Sequence, residues 1–338
     1  MKVSIVILNW NGRQMLERFL PSVCNYSNTD GVEIVVADNG STDDSISFLN
    51  ADYPEIRQII LDKNYGFSEG YNRALAQLDA EYFVLLNSDV EVTAGWLDPV
   101  ISYLDEHPDV AACQPKIRSY TDKESFEHAG ACGGFIDKFG YPFCRGRILN
   151  VVEKDCGQYD AVADIFWASG ATLFVRAEEF RKNGGLDRDF FAHMEEIDFC
   201  WRLRSRGKRV VCIPQSVVYH VGGGTLNVDN PRKTFLNFRN NLLMIYKNEL
   251  PGRLGKVLFV RFFLDYAAAF MFLLKGDVPN FKAVFSARRE FRRMKPLYQD
   301  VRQENLEQTV NKNITEIFHH SIILNFYFKG VKKFQEWR

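Results

Sequence analysis

The sequence lacks the glycine-rich phosphate loops of two common nucleotide-binding folds. The turn after the first apolar segment reads NWNGRQ, which is not G-x-G-x-x-G, and the Walker pattern with its lysine is absent. These absences argue against a dinucleotide-dependent oxidoreductase and a P-loop enzyme. A nucleotide can still bind, but not through a glycine-rich cradle after the first strand.

The chain also lacks a cysteine framework. Its seven cysteines are odd in number and include no Cys-x-x-Cys pair, which argues against a disulfide scaffold and a zinc ribbon. The apolar run that follows Met1 and Lys2 reaches only Asn9, too short for a signal-peptide core. We therefore expect reduced thiols and an N-terminus in the cytosol.

Charge is balanced overall but not along the chain. The formal net charge is −1, yet residues 1–231 hold 22 Lys/Arg against 34 Asp/Glu, whereas residues 232–338 hold 20 against 9. An acidic body with a basic tail region suggests two roles. We expect a catalytic domain over 1–240 and a basic, Phe-rich helical region over 241–338.

Apolar runs and helical patterns alternate through the first 90 residues. Strands are predicted over 3–8, 32–37, 57–61 and 81–86, with helices between them. This order is typical of an α/β protein whose mostly parallel central sheet carries helices on both faces. Further strands are predicted over 110–113, ending at Pro115, and over 209–213.

Each of the four early strands ends in polar or glycine residues. Ordinary turns prefer the same residues, but the carboxyl ends of such strands meet at one crevice, where ligands bind. Four polar turns around one crevice favour a binding site. The segments are Asn9-Trp10-Asn11-Gly12, Asp38-Asn39-Gly40-Ser41, Asn64-Tyr65-Gly66-Phe67 and Asn87-Ser88-Asp89.

Asp89 and His220 are candidate metal ligands. Asp89 follows the apolar run YFVLL, where a carboxylate suits a hard divalent cation that would neutralise a diphosphate. The simpler interpretation is a turn or helix-capping aspartate. His220 precedes the glycines at 222–224, and its imidazole suits Mn²⁺ better than Mg²⁺. A structural role for a lone histidine stays open.

A second cluster of acids begins a predicted helix over 195–206. The helix dipole alone favours Glu195, Glu196 and Asp198 there. A carboxylate beside the preceding aromatic residues could also act as a general base toward a hydroxyl. Asp198 and Arg202 are four residues apart and can simply pair on the helix.

Several motifs occur together in order and resemble the family 2 glycosyltransferases of the GT-A fold. The motifs are SIVILNWN, the DNGST after the second strand, NYGFSEGYN, LLNSDV, the Ser-Gly-Ala turn and the Glu-Glu-x-Asp cluster. The resemblance covers roughly residues 1–245. It is greatest to bacterial rhamnosyltransferase-type enzymes of polysaccharide assembly.

The resemblance implies a role for each candidate residue. Asp38 would read the donor base and Trp10 would stack on it, with Asn9, Asn11, Asn64, Gly66 and Asn72 lining the nucleotide crevice. Ser88 and Asp89 belong to a D-x-D motif whose first Asp is replaced here by Asn87. His220 would complete the metal site, and Gly170 would lie beneath the acceptor. Glu196 would be the catalytic base, with Glu195 as its rival and Asp198 nearby.

The implied reaction is an inverting transfer of a sugar from a nucleotide diphosphate donor with Mg²⁺ or Mn²⁺. A UDP- or dTDP-sugar, rhamnose among the candidates, would pass to a saccharide or polyprenyl-linked acceptor in cell-envelope assembly. A sugar nucleotidyltransferase is disfavoured because NWNGRQ lacks its glycine-rich basic loop. The alternative is a degenerate, non-catalytic protein whose basic region binds a membrane or nucleic acid.

The basic C-terminal region contains one long apolar stretch over 254–274. Its length would span a bilayer, but Lys256, Arg261 and Asp265 favour an interfacial or packed helix. The segment FKAVFSARREFRRMK (281–295) suits an anionic lipid surface or, equally, a helical bundle or dimer interface. We expect a peripheral protein on the inner face of the plasma membrane that binds no nucleic acid. The oligomeric state stays open.

Overall fold

The structure is a computed structural model that describes residues 1–222 and 230–337. The glycines at 223 and 224 therefore lie outside the described residues. The first half alternates strands and helices as the apolar runs predict. Its elements are β1 (Val3–Asn9), α1 (Arg13–Ser27), β2 (Val32–Asp38), α2 (Ser45–Asp52), β3 (Arg57–Ile60), α3 (Gly66–Leu75), β4 (Tyr82–Asn87), β5 (Val90–Val92) and α4 (Asp98–Glu106).

The middle of the chain adds longer strands and a group of short ones. These elements are β6 (Val110–Ser119), β7 (Gly134–Asp137), β8 (Pro142–Cys144), β9 (Arg147–Ile148), β10 (Val151–Val152), β11 (Ala163–Asp164), β12 (Thr172–Arg176), α5 (Ala177–Lys182), α6 (Glu195–Ser205) and β13 (Arg209–His220). The remainder is α7 (Pro231–Asn248), α8 (Pro251–Leu274), α9 (Val278–Met294), α10 (Gln299–Glu307), β14 (Ile317–Phe318) and α11 (Ile322–Lys329).

The large sheet has the order β11-β13-β6-β12-β4-β1-β2-β3, and β5 pairs with β13. Strands β4, β1, β2 and β3 are parallel neighbours, but β12 runs antiparallel to both β4 and β6. The α/β class is therefore confirmed, with a sheet more mixed than predicted. A second sheet has the order β10-β9-β8-β7-β14.

Helices cover both faces of the large sheet. Along β1, Val6 belongs to one buried cluster while Ile5 and Ile7 belong to the other, as strand alternation requires. Residues of α1, α2 and α4 join the cluster of Ile5, whereas α3, α5, α6 and α7 join that of Val6. The sheet is thus buried on both sides, which explains its near-continuous apolar strands.

Two strands are longer than the sequence predicts. β6 continues through Pro115 to Ser119, and β13 continues past Ile213 to His220. The two strands pair in parallel with an irregularity between Ile213 and Val217. A proline is tolerated at such a bulge, so it does not end the strand. The extension carries His220 to the end of β5.

Candidate functional site

The carboxyl ends of β1 and β2 hold Asp38 in a fixed position. β1 and β2 are in parallel register, which pairs Asn9 with Asp38. Asn9 Nδ2 donates to Asp38 Oδ1 at 3.0 Å, and the Ser41 backbone N–H donates to Asp38 Oδ2 at 2.9 Å. Asn9 and Asp38 are fully buried. The Asp38 carboxylate therefore cannot swing away from the crevice floor.

The loop after β1 is tied to the loop after β2. Asn11 has a positive φ of 51°, and its Oδ1 accepts a hydrogen bond from the Thr42 backbone N–H at 2.7 Å. The side chain of Trp10 is left 46% exposed, so its indole is accessible to a planar ligand. At Gly12, a Cβ would lie 2.4 Å from Asn9 Oδ1, so only glycine fits there.

Asn39, which the sequence analysis did not assign to the site, joins Asn64 and Gly66 to the crevice. Its Nδ2 donates to Asn64 Oδ1 at 3.2 Å and to the Gly66 carbonyl at 2.9 Å. Asn72 is used differently, because both ends of its amide bind the backbone of Leu186, at 2.8 and 2.9 Å. Its placement in the nucleotide crevice stays a prediction.

Asp89, His220 and Glu127 form a line of buried polar groups. His220 Nε2 lies 3.1 Å from Asp89 Oδ1, and His220 Nδ1 lies 3.4 Å from Glu127 Oε2. Burial lowers the pKa of His220, but hydrogen bonds and charges of the two carboxylates outweigh burial and raise it to about 10. Glu127 lies in an irregular segment, and no sequence pattern identified it. Ser88 is half-buried beside this line.

Asp89 and His220 place a carboxylate oxygen and an imidazole nitrogen 3.1 Å apart, and Glu127 Oε2 lies 3.4 Å from the other imidazole nitrogen. These atoms would ligate Mn²⁺, with diphosphate oxygens completing the coordination, only once His220 gives up the proton that its raised pKa retains at neutral pH. Within 1–222 and 230–337, no group of three His, Cys, Asp or Glu side chains is arranged to hold a metal ion.

The loop that precedes α6 has an unusual backbone. Phe191, His193 and Met194 have positive φ values of 66°, 72° and 72°, which non-glycine residues rarely adopt. Asn240 of α7 is fully buried, and its Nδ2 lies 2.8–2.9 Å from the carbonyls of Phe190, Ala192 and His193. Asn240 thus holds the loop in this conformation. No sequence pattern identifies Asn240, because its role depends only on tertiary contacts.

This loop places Glu195 and Glu196 differently. Glu195 is 4% exposed and Glu196 is half-buried, and each has a buried Oε2 without a hydrogen-bond partner. Burial raises the pKa of Glu196 to about 7. Burial, with the neighbouring Glu196 charge, raises the pKa of Glu195 well above its usual range.

Gly170 lies between α3 and the start of α6. A Cβ on Gly170 would lie 3.2 Å from Phe67 Cζ and 3.8 Å from Glu196 Cβ. The neighbouring Ala171 carbonyl accepts a hydrogen bond from the Asn87 backbone N–H at 3.0 Å. Gly170 thus connects Glu196 to the segment that carries Asp89.

Asp198 is fully buried and bound within the protein. Its Oδ2 accepts from Lys247 Nζ at 2.8 Å and Arg202 Nε at 3.2 Å, and its Oδ1 accepts from Asn248 at 2.8 Å. Burial raises the pKa of Asp198, but the charges of Lys247 and Arg202 outweigh burial and lower it. The pairing with Arg202 is the alternative that helical spacing allowed, and substrate contact by Asp198 stays a prediction.

The sequence-predicted residues form three neighbouring groups at one edge of the sheet. Asn9, Asn11, Asp38, Asn64 and Gly66 share one set of hydrogen-bonded loops. Asp89 and His220 form a second group, and Gly170, Glu195 and Glu196 form a third. The first and third groups touch, because the Phe191 carbonyl accepts from the Phe67 backbone N–H at 2.6 Å, beside Gly66.

The chain is similar to known proteins in sequence and in fold. The model of the family described as Glycosyl transferase family 2 matches residues 4–157. A protein of Mycobacterium tuberculosis named N-acetylglucosaminyl-diphospho-decaprenol L-rhamnosyltransferase is 28% identical over 232 residues, which are 64% of this chain and 75% of that protein.

Two solved structures share the fold. S. aureus TarS 1-349 in complex with UDP-GlcNAc superposes with a TM-score of 0.55 at 16% identity, covering 91% of this chain and 89% of that one. The mannosyltransferase PcManGT from Pyrobaculum calidifontis, in complex with GDP-Man and Mn²⁺, has a TM-score of 0.51 at 14% identity, covering 91% and 84%. The GT-A expectation is confirmed by these neighbours.

Proposed function

We propose that the chain, whose residues 4–157 match the family 2 glycosyltransferase model, is a glycosyltransferase that uses a nucleotide-sugar donor and catalyses the following reaction. The enzyme transfers a sugar from a UDP- or dTDP-linked donor to a hydroxyl group, with inversion at the anomeric carbon. Rhamnose is the first candidate sugar, because the mycobacterial relative is named a rhamnosyltransferase.

The donor nucleotide occupies the crevice formed by the loops after β1, β2 and β3. Asp38 accepts a hydrogen bond from the pyrimidine ring, and Trp10 stacks on it. Asn9, Asn11, Asn64 and Gly66 shape the floor, with Asn72 and Ser88 at its margins. The fixed Asp38 carboxylate and the exposed indole support this assignment.

Asp89 and deprotonated His220 would hold a divalent cation, Mn²⁺ or Mg²⁺, which would neutralise the charge of the diphosphate leaving group. The 3.1 Å distance between His220 Nε2 and Asp89 Oδ1 supports this pair as the ligands.

Glu196 acts as the general base. Its carboxylate takes the proton of the acceptor hydroxyl while that oxygen forms a bond to the anomeric carbon, and the bond to the nucleoside diphosphate breaks on the opposite face. A single displacement at the anomeric carbon inverts its configuration and needs only one base. Glu195 is more deeply buried than Glu196, and Gly170 leaves room beneath the acceptor.

The acceptor is a saccharide or a polyprenyl-linked saccharide of cell-envelope assembly. The mycobacterial relative is named for a decaprenol-linked acceptor, which supports this class. We place the enzyme on the inner face of the plasma membrane, with 1–240 as the catalytic domain and 241–338 as the membrane-associating region. A non-catalytic binding protein would have no use for the buried Oε2 atoms of Glu195 and Glu196, which have no hydrogen-bond partner.

One observation carries the proposal: Glu196 has a half-buried carboxylate with an unpartnered oxygen and a pKa near 7, beside Gly170. The test measures donor binding and nucleoside diphosphate release for UDP-, dTDP- and GDP-sugars, with and without Mn²⁺. We expect one pyrimidine donor to bind, more tightly with Mn²⁺, and Asp89→Ala to abolish the effect of the metal.

Glu196→Gln should retain donor binding and lose transfer by about 10²–10⁴-fold, the usual contribution of a general base. Glu195→Gln is the matched control and should retain most transfer. Loss of transfer in Glu195→Gln alone would reassign the base. Absence of turnover with every donor would support the non-catalytic alternative.

A further inference from the structure

Helix α8 buries its central charged residues, Arg261 and Asp265, and exposes most of its large apolar residues. It runs over 24 residues with a mean hydropathy of 2.0 in its most apolar window, of which 22% is buried. A core helix of a water-soluble protein would show the opposite distribution. The helix therefore has an apolar face that the described residues do not cover.

The inner face of α8 is fixed to the protein by a buried ionic cluster. Arg261 Nε donates to Asp265 Oδ1 at 3.0 Å, and Arg288 of α9 binds the other oxygen of Asp265. Tyr141 Oη donates to Asp265 at 3.2 Å, and Arg261 Nη1 donates to the Phe139 carbonyl at 3.1 Å. These bonds tie the middle of α8 to the second sheet and to α9, so lipid cannot surround the helix.

The outer face of α8 is a continuous row of large apolar side chains. They recur at helical spacing along the whole second half of the element, and between 40% and 71% of each is exposed. These residues are Phe259, Phe262, Phe263, Phe270, Met271, Leu273 and Leu274. A patch of this kind marks a surface that binds another apolar body.

Cations flank this row. Lys256 and Lys275 are exposed near the two ends of α8, and Lys282 and Arg289 are exposed on α9. The only acid of α8 is Asp265, which is fully buried in the ionic cluster. An apolar strip with basic flanks complements the hydrocarbon and the anionic headgroups of a bilayer.

We propose that the outer face of α8 inserts into one leaflet of an anionic membrane, with the helix lying in the plane of the bilayer rather than crossing it. This inference deepens the proposed function. It depends on that function only for the statement that the enzyme works at a cellular membrane. The inner face stays packed on the protein through Arg261, Asp265 and Arg288.

Asn241 links the inner face of α8 to Met194, in the loop that precedes Glu195 and Glu196. Arg261 also bonds to the side-chain oxygen of Asn241, whose amide donates to the Gly140 carbonyl at 2.8 Å and lies 3.8 Å from Met194 Sδ. Met194 directly precedes the glutamates of α6. The inner face of α8 is therefore linked through Asn241 to the loop that carries Glu195 and Glu196.

The test is co-sedimentation of the full chain with vesicles of phosphatidylcholine alone or with phosphatidylglycerol. We expect binding that requires the anionic lipid. The triple variant Phe259→Ser, Phe263→Ser, Phe270→Ser should bind at least about tenfold more weakly. A matched variant, Tyr26→Ser, Leu297→Ser, Val310→Ser, removes comparably exposed apolar side chains elsewhere and should bind as the unaltered protein does.

Absence of vesicle binding, or equal binding by both triple variants, would overturn the inference. A lipid-free dimer by light scattering that the α8 variant converts to a monomer would assign the face to a second copy instead. Donor turnover is measured in detergent in parallel, and neither triple variant alters the proposed site. Vesicle binding without turnover would leave the inference standing and remove the proposed function.

Discussion

Glu195 and Glu196 are adjacent in the chain, but their surroundings give them different acidities. Glu196 is half-buried and its pKa is raised to about 7 by burial, close to the pH at which a base works best. Glu195 is nearly fully buried, and burial together with the neighbouring Glu196 charge raises its pKa well above its usual range. The raised pKa of Glu196 suits it to accept a proton near neutral pH.

We predict that the rate of transfer rises with pH through about 7. Below that pH, Glu196 is protonated and cannot take the proton of the acceptor, so the rate should fall about tenfold per pH unit. Above it, the carboxylate is formed and the rate should level off. The measurement is kcat/KM from pH 5.5 to 8.5, with donor binding followed over the same range.

Glu195→Gln is the control for this profile. Burial, rather than the charge of Glu195, is the main cause of the raised pKa of Glu196, so the inflection should stay near 7. An inflection that disappears in Glu195→Gln, or a flat profile in the unaltered enzyme, would contradict the assignment of Glu196.

At the scale of elements, helix α7 sets the position of α6. The loop before α6 has three non-glycine residues at positive φ, each of which costs about 1–2 kcal/mol. The side-chain amide of Asn240 compensates by binding three of the loop's carbonyl groups. The loop conformation therefore depends on a residue about 50 positions away in the sequence.

We predict that Asn240→Asp lowers kcat by about 10–100-fold and leaves donor affinity unchanged. The substitution keeps the shape of the side chain but replaces the donating amide with an acceptor, which repels the loop carbonyls and moves Glu196. A displacement of this kind affects the chemical step strongly. Steady-state kinetics and donor titration separate the two quantities.

Asn237 provides the matched control, because among residues 1–222 and 230–337 its amide bonds only to the Lys233 carbonyl of its own helix, at 3.0 Å. Asn237→Asp should retain normal kcat. If Asn240→Asp lowers only thermal stability and the folded fraction keeps full kcat, Asn240 has no positioning role.

The sequence predicts the elements of the first half well because their signals are local. Apolar runs mark β1, β2 and β4, and the polar ends of these strands identify Asn9, Asp38 and Asp89. The lengths of β6 and β13 could not be predicted, because a proline that normally ends a strand is accommodated by a bulge between the two. Asn240 and Glu127 carry no local signal, since their partners are distant in the chain.

At the scale of the whole molecule, the C-terminal region packs back onto the catalytic body. β14 pairs in parallel with β7, and Phe334 contacts Phe135 and Phe143 of the second sheet. Leu242 to Ile245 of α7 are fully buried in the same core as the sheet. The regions on either side of the proposed boundary at residue 240 therefore have different proposed roles but share one hydrophobic core.

We predict that the fragment 1–240 does not unfold cooperatively, because it exposes the core face that α7 and β14 cover. In the full chain, Phe334→Ala should lower the free energy of unfolding by about 3–5 kcal/mol, the usual cost of removing a buried phenylalanine. Phe328→Ala is the matched control, since Phe328 lies in the same tail but is 82% exposed, and it should change stability by less than about 0.5 kcal/mol. Urea denaturation measures all three. A fragment that unfolds cooperatively and binds the donor would instead make 1–240 a domain that folds alone, with the tail as an appendage.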